Sequence, residues 1–375
     1  MTYRKSLLSK IFGNVDYGAL VLSVIAAVMG VIAVYSATLS MGTSRMFIVQ
    51  TGALVIGVIA FVLFSKMDFD MLGEAAVVIY IGCVALLGVT LIFGTGLEET
   101  GTKGWIDIGF ISFQPAEFVK IGFIITFAKH LQRVREDVNY IGTLAMLCLH
   151  GGLLIVMVLL QPDFGTALVF VFIFISMLYC AGFSYKYMAV LAVVAIVGIS
   201  CVWIFREHIM APHQIARIEV FFDPYKDPVG SGYNVIQSET SIGSGKLFGQ
   251  GYLNGNLNQL EYLPAKHTDF IFATIGEEWG FFGCICVVAI LAAIIIKCIL
   301  VAKRTRNTFG YFVCVGIAAM FCFHTLENVG MCIRLMPVTG SPLPFFSYGG
   351  TSLLTNLSAM GIISSISVRS KGVNF

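Results

Sequence analysis

The sequence alternates between long apolar stretches and short polar connections over most of its length. A helix needs about 20 apolar residues to cross a bilayer, whereas a β-barrel strand needs about ten residues in strict alternation. The stretches here are continuously apolar and of helical length. They predict an all-α polytopic membrane protein, a single domain of residues 1–375, with ten spans at residues 17–38, 46–64, 71–94, 114–131, 141–160, 163–181, 187–205, 270–302, 310–335 and 351–368.

Lysine and arginine residues are distributed unequally between the short connections. One set of loops contains most of them, while the opposite short loops have only Arg45, Lys103 and, at a span end, Arg334. The positive-inside rule places the richer set, and with it both termini, in the cytoplasm. The first apolar stretch lacks a small-residue cleavage site, so we interpret it as a span and not as a cleaved signal peptide.

Composition narrows the range of functions. Of 375 residues, 58% are apolar and only 12% are charged, and the net charge of +2 offers no basic field for a nucleic acid. None of the ten cysteines falls in the large polar loop, which excludes a disulfide framework there. Cys284 and Cys286 lie in an apolar run without other ligands, so we interpret them as buried apolar residues and not as a metal site.

Two connections predicted on the outer side are long enough to have a function. Residues 206–268 are rich in glycine and aromatic residues, with short helices predicted at residues 215–222 and 233–242. Loops of this length are usually functional or disordered, and the composition favours function. Residues 336–350 contain three prolines and three glycines, so they do not continue a helix. A buried re-entrant loop and a rigid connector both fit them.

Several polar side chains fall within the predicted spans, where charges are costly and usually functional. Glu117 and Lys120 share one helix face, which fits either a polar cavity or a structural ion pair. Asp163 begins the sixth span and is interpreted as a helix cap. The ninth span adds polar positions that fit either a cavity lining or structural pairs, namely His324, Glu327, Asn328 and Arg334.

The densest polar cluster ends the long loop and enters the eighth span. Asp269 lies beside Lys266 and His267, and Glu277 and Glu278 follow about two turns deeper. Because a cap alone needs no such neighbours, we favour a site for an anionic headgroup, with cationic contacts from Arg217, Lys246 or Lys266. The absence of an internal repeat and the outer location of the charges favour a membrane enzyme over a transporter.

Three long motifs in the sequence are specific enough to indicate a protein family. They are Phe222-Asp223-Pro224 with Gly230-x-Gly232-Tyr233, Leu263-Pro264-x-x-His267-Thr268-Asp269-Phe270, and Pro337-x-Thr339-Gly340 with Ser347-Tyr348-Gly349-Gly350. Together they resemble the SEDS family of bacterial cell-wall proteins over residues 15–370, and Gly245-Lys246-Leu247-Phe248-Gly249 is more similar to its RodA-like elongation branch. The sequence departs from the family pattern at Asn258, Ala265, Glu327 and Thr351.

The resemblance implies a peptidoglycan glycosyltransferase of the bacterial plasma membrane. It would join lipid II units into a glycan strand by inverting β-1,4 transfer, for cell elongation and rod shape, beside a class B penicillin-binding protein. Such a displacement needs one base, which motif position assigns to Asp269, and positive charge for the diphosphate. A divalent cation such as Mg or Mn is a candidate cofactor. The expected substrate contacts are Glu261, Lys266, His267, Arg217, Lys246, Ser347, Glu117 and Lys120.

Two alternatives stay open from the sequence. A lipid II flippase would need a charged cavity open to both faces, and the inner halves of the spans are poor in charge. A scaffold for a transpeptidase would need no Asp269. Polymer formation from lipid II in detergent distinguishes the polymerase from both.

Overall fold

A computed structural model describes residues 15–371 apart from 43, 98–100, 109–110, 191–192, 194–199, 201–203, 205–211 and 231. In this part the chain is helical except for one antiparallel hairpin of β1 (Ile106–Ile108) and β2 (Ile111–Phe113). The helices are α1 (Tyr17–Leu39), α2 (Arg45–Lys66), α3 (Phe69–Glu74), α4 (Ala76–Phe93), α5 (Pro115–Arg133), α6 (Ile141–Leu159), α7 (Phe164–Cys180), α8 (Pro212–Phe222), α9 (Tyr233–Ser244), α10 (Asn256–Gln259), α11 (Ile271–Arg304), α12 (Thr308–Cys332) and α13 (Gly350–Lys371).

Nine of the ten predicted spans coincide with these helices. Seven are long and apolar enough to cross a membrane, namely α1, α2, α4, α6, α11, α12 and α13. The helices α5 and α7 occupy the fourth and sixth predicted spans. The seventh, residues 187–205, lies largely outside the described residues, so the count of ten stays a prediction. Both short helices predicted in the long loop are present as α8 and α9.

The helices α5, α12 and α13 form the centre of the bundle. In α12 and α13, 72% and 83% of the most apolar window is buried, against 17% in α2. Small residues on these helices let the neighbouring helices approach closely. In a membrane such close packing replaces the hydrophobic effect, which drives helix association only weakly there because the surrounding lipid is itself apolar. A Cβ added at Gly361 would stand 2.6 Å from the Phe61 carbonyl oxygen, so α13 packs directly on the α2 backbone.

The eighth span is broken near its start, whereas the apolar pattern predicts one continuous helix. Gly280 has φ 67° and ψ −164°, and a Cβ there would lie 2.3 Å from the Gly249 nitrogen. The glycine-rich segment 245–251 fills the break with its backbone. Its bonds are Phe281 N–H to Lys246 O (2.9 Å), Phe282 N–H to Leu247 O (3.2 Å), Gln250 N–H to Glu277 O (2.9 Å) and Gly251 N–H to Glu278 O (3.1 Å).

The connection 336–350 is partly buried, with residues 343–347 inside the protein and Gly340 exposed. Gln50 of α2 holds its end, since its Nε2 donates to the Ser347 carbonyl at 3.1 Å and its Oε1 accepts from Gly349 N–H at 3.1 Å. Phe345 packs on α1 so closely that a Cβ at Gly30 would lie 2.2 Å from its carbonyl oxygen. This burial favours the re-entrant interpretation over a connector on the surface.

Candidate functional site

Asp269 lies where the end of the long loop meets the connection 336–350. The Asn328 amide Nδ2 donates to the Asp269 carbonyl and to the Ser341 carbonyl, both at 2.8 Å. The Ser347 hydroxyl donates to the Thr268 carbonyl at 2.6 Å. These bonds fix the two loops to each other and to α12, so the direction of the Asp269 side chain is set by three segments of the chain.

The Asp269 carboxylate is half-buried and faces Gly340. A Cβ at Gly340, which has φ +83°, would lie 3.5 Å from Asp269 Oδ2, so glycine keeps this side open. Burial raises the pKa of Asp269 to about 6, Arg217 opposes that rise, and Asp163 adds to it. A base works best with a pKa near the operating pH, so this carboxylate is suited to accept a proton.

Lys266 points away from solvent. Its buried ammonium donates to the Ser40 hydroxyl at 2.6 Å and to the Asn258 carbonyl. Burial lowers the pKa of Lys266, and Glu261 is the first of three nearby carboxylates that oppose the shift. Glu261 itself is exposed on a turn with φ +61°. Lys266 therefore ties the loop to α1 and α10, while Glu261 stays accessible.

His267 is half-buried beside the connection 336–350. Its ring lies 5.7 Å from the Tyr348 ring, and its carbonyl accepts from Tyr348 N–H at 2.8 Å. Burial and the neighbouring Lys266 lower the pKa of His267 to about 4, so the imidazole is neutral at pH 7. Its Nδ1 has no partner among the described residues.

The two other predicted cations differ in their placement. Arg217 lies on α8, half-buried, and is close enough to Asp269 to oppose the rise in its pKa. Lys246 is exposed on a turn with φ 50°, where its carbonyl bonds to the break in α11. The structure thus places Arg217 within electrostatic range of the Asp269 carboxylate, without an ion pair between them, and it fixes the backbone of Lys246 at the break.

A buried polar group joins α5 to α12. Lys120 Nζ lies 2.8 Å from Glu117 Oε1 and 2.6 Å from His324 Nε2, and all three side chains are buried. Asp163 is the predicted cap of α7, since its Oδ1 accepts from Thr166 N–H at 3.0 Å. Asp163 is also within electrostatic range of Lys120 and of Asp269, which connects this group to the site.

Glu327 of α12 is buried beside the connection 336–350 without an ion-pair partner among the described residues. It is 1% exposed and faces the Thr339 and Ser341 side chains. Neither of its carboxylate oxygens forms a hydrogen bond of good geometry with a described residue, although the Ser341 and Thr339 hydroxyls lie close to it, and Asn328 Oδ1 and Thr339 Oγ1 are likewise without a partner. Buried polar atoms are normally paired, so the unpaired Glu327 and Asn328 oxygens are suited to a donor from outside the chain. In the sequence Glu327 was marked only as one of several polar positions of the ninth span and as a departure from the family pattern.

The site offers few protein ligands for a metal ion. The described part of the chain has no cluster of three or more His, Cys, Asp and Glu side chains spaced to hold one. Magnesium is commonly bound by one or two carboxylates together with substrate phosphates.

Comparison with known sequences gives matches along nearly the whole chain. The FtsW, RodA and SpoVE family model, described as cell cycle protein, matches residues 18–372. Peptidoglycan glycosyltransferase MrdB of Escherichia coli K12 is 32% identical over 324 residues, which cover 86% of this chain and 85% of MrdB. Stage V sporulation protein E of Bacillus subtilis strain 168 is 34% identical over 317 residues, with 83% and 84% covered.

Solved structures share the fold. A chain from a structure described as the structural coordination of polymerization and crosslinking by a peptidoglycan synthase complex has a TM-score of 0.82 at 27% identity. The match covers 95% of this chain and 98% of that one. Rod shape determining protein RodA of Thermus thermophilus has a TM-score of 0.69 at 24% identity, covering 95% and 97%, which supports the fold alone.

Proposed function

The chain belongs to the FtsW, RodA and SpoVE family and is a multi-pass membrane peptidoglycan glycosyltransferase, and we propose that Asp269 is the base of its polymerase reaction. The acceptor 4-hydroxyl of one lipid II disaccharide attacks the anomeric carbon of the donor, which is a second lipid-linked sugar whose anomeric carbon carries the undecaprenyl diphosphate. Its proton passes to the Asp269 carboxylate as the bond from carbon to diphosphate oxygen breaks. Undecaprenyl diphosphate leaves, and the new β-1,4 bond forms with inversion.

The position of the Asp269 carboxylate is the observation that supports this assignment. It faces the open side at Gly340, and its burial gives it a pKa of about 6. Inverting transfer needs one such base and no covalent intermediate, as in inverting glycoside hydrolysis. The carboxylate therefore has both the accessibility and the proton affinity that the reaction requires.

Arg217 is the cation that we assign to the departing diphosphate. It already acts on the Asp269 carboxylate, and a guanidinium binds phosphate oxygens in a bidentate manner. Lys266 supports the turn instead, because its ammonium is bonded to Ser40 and Asn258. Glu261, His267, Lys246, Ser347, Glu117 and Lys120 stay predicted substrate contacts, and a divalent cation stays a proposed cofactor.

The cellular setting is also part of the proposal. The distribution of Lys and Arg supports cytoplasmic termini and an outer site. A class B penicillin-binding protein is the proposed partner, supported by the likeness to a chain from a peptidoglycan synthase complex. A role in elongation and rod shape rests on the RodA-like segment 245–249.

The test is polymerisation of purified lipid II in detergent, with the partner bound. We expect Asp269→Asn to lower the rate by about 10²–10⁴-fold, the usual contribution of a general base. Glu219→Gln, which changes an exposed carboxylate on α8, is the matched control and should keep the wild-type rate. An Asp269→Asn protein that elutes as wild type and still polymerises lipid II would refute the assignment.

A further inference from the structure

A cavity opens at the end of the bundle opposite Asp269. It has a volume of about 350 Å³ and is lined by Arg135, Cys180, Ala181, Gly182, Thr305, Arg306, Asn307, Thr308, Tyr311 and Phe312. These residues come from three separate connections, after α5, after α7 and between α11 and α12. The far end of α12 lies at the site, where Cys332 Sγ is 3.8 Å from the Asp269 carbonyl. With 1.5 Å per residue, the 25 residues of α12 separate the two places by about 37 Å.

The charge of this cavity is positive. Arg135 and Arg306 line it, and no acidic side chain is among the lining residues, although the lining residue Asn307 donates from Nδ2 to the Asp70 carboxylate outside it at 2.9 Å. Arg135 uses one N–H, from Nη1, to bond the Thr308 hydroxyl at 3.3 Å. A guanidinium has five N–H donors, so most of those of Arg135 remain for a ligand. Arg306 is exposed and forms no ion pair with another described residue.

The N-terminus of α12 adds to this field. Asn307 caps the helix, since its Oδ1 accepts from Gly310 N–H at 3.2 Å. The positive end of a 25-residue helix therefore borders the same cavity as the two arginines. The hydroxyls of Thr305, Thr308 and Tyr311 supply further polar groups around it. Two guanidiniums, hydroxyls and a helix N-terminus form a set that binds phosphate oxygens.

The surroundings place the cavity at the surface of a bilayer. Tyr179, in the last turn of α7 beside the lining residue Cys180, is 53% exposed, and Tyr185 is 76% exposed, with ring centroids 6.2 Å apart. Tyrosine is enriched where a membrane meets water. Basic pockets between helices on the cytoplasmic side bind anionic lipid headgroups. We infer that this cavity binds the headgroup phosphate of an anionic phospholipid in the leaflet on that side.

The experiment measures lipid retention by the full chain in detergent. Wild-type protein is titrated with phosphatidylglycerol, and bound lipid is counted by native mass spectrometry. The variant Arg135→Gln/Arg306→Gln should bind the lipid roughly 25-fold more weakly, about fivefold per arginine. The control Lys303→Gln/Arg304→Gln removes the same charge from the end of α11 without touching the cavity lining and should bind as wild type.

Three results would overturn the inference. Equal weakening in the control variant would mean that general surface charge attracts the lipid. Equal retention of zwitterionic phosphatidylcholine would mean that the two arginines select no anion. Displacement of phosphatidylglycerol by inorganic phosphate at the same concentration would identify a soluble phosphate as the ligand. If the double variant does not fold, Arg306→Gln alone keeps the test, since it breaks no ion pair among the described residues, and a roughly fivefold loss is expected.

Discussion

The buried acids of α11 and of α12 differ in their hydrogen bonding: Glu277 and Glu278 of α11 are paired, whereas Glu327 of α12 is not paired with any described residue. Glu277 of α11 accepts from the N–H groups of Leu257 and Asn258 at 2.7 and 3.0 Å. Its neighbour Glu278 accepts from the Ser36 hydroxyl at 2.5 Å and from the Asn258 amide at 2.8 Å. These carboxylates fasten the long loop to α11 and to α1. A buried carboxylate with a structural role thus has hydrogen-bond donors from the segments that it holds together.

Glu327 of α12 presents the opposite case. It is equally buried, yet neither oxygen has a partner among the described residues, and Thr339 Oγ1 beside it is also without one. Leaving buried polar groups unpaired costs stability, so such groups persist where they have another use. The comparison teaches that burial alone does not identify a structural acid, because the hydrogen-bond partners decide.

The largest effect in this comparison is expected from Glu277→Ala. Two buried backbone N–H groups would lose their acceptor, so we expect the free energy of unfolding to fall by about 2–6 kcal/mol. Thermal unfolding in detergent measures this, together with faster proteolysis of the long loop. Glu219→Ala on the exposed face of α8 is the control. An unchanged free energy of unfolding for Glu277→Ala would refute the claim that this paired carboxylate stabilises the fold.

Glu327→Leu should act in the opposite direction on stability. Replacing an unpaired buried carboxylate by an apolar side chain should leave the free energy of unfolding unchanged or raise it by about 1–3 kcal/mol. The lipid II polymerisation rate should fall by roughly 10–100-fold, the value of one hydrogen bond to a charged group. Glu327→Gln keeps the size and part of the acceptor capacity and should fall less. Destabilisation of Glu327→Leu as large as that of Glu277→Ala would show that Glu327 also has a structural role, which contradicts the proposed difference.

The smallest expected effect is a pH dependence. Asp269 must be ionised to accept a proton, and burial raises its pKa to about 6, so activity should increase with pH through that value. At pH 5 the rate should be about tenfold below its plateau near pH 8. Because Arg217 lowers this pKa, Arg217→Gln should move the midpoint upward. A profile that stays flat down to pH 5 contradicts the assignment of Asp269 as the base.

Much of the fold is predictable from apolar patterns, but the break in α11 is not. Residues 270–302 have the composition of one continuous span, and a single glycine is tolerated inside a helix. The groups that satisfy the broken backbone come from residues 246–251, about 30 positions earlier in the chain. No local pattern contains that partnership. The same contact explains the glycines at 245 and 249, where a Cβ would meet the backbone of α11, whereas Gly251 has a φ of +100° that favours glycine.

The candidate site divides in a similar way. Motif position identified Asp269, and the carboxylate does lie between two loops that the sequence marked as functional. The sequence offered Lys266 and Arg217 equally as candidate cations. In the structure Lys266 is hydrogen-bonded inside the protein, whereas Arg217 opposes the rise in the pKa of Asp269. Side-chain direction decides between them, and a turn with positive φ at Ala265 sets the direction of this loop.

From the sequence alone follow a helical membrane protein and the assignment of Asp269 as the candidate base. Both follow from local properties, namely the length of apolar runs and the order of residues in a motif. The tertiary structure was needed to show which buried acids are paired, that Arg217 lies within electrostatic range of Asp269, and where a basic cavity forms. The physical reason is that a hydrogen bond or an electrostatic field depends on distance in space, and these partners come from helices far apart in the chain.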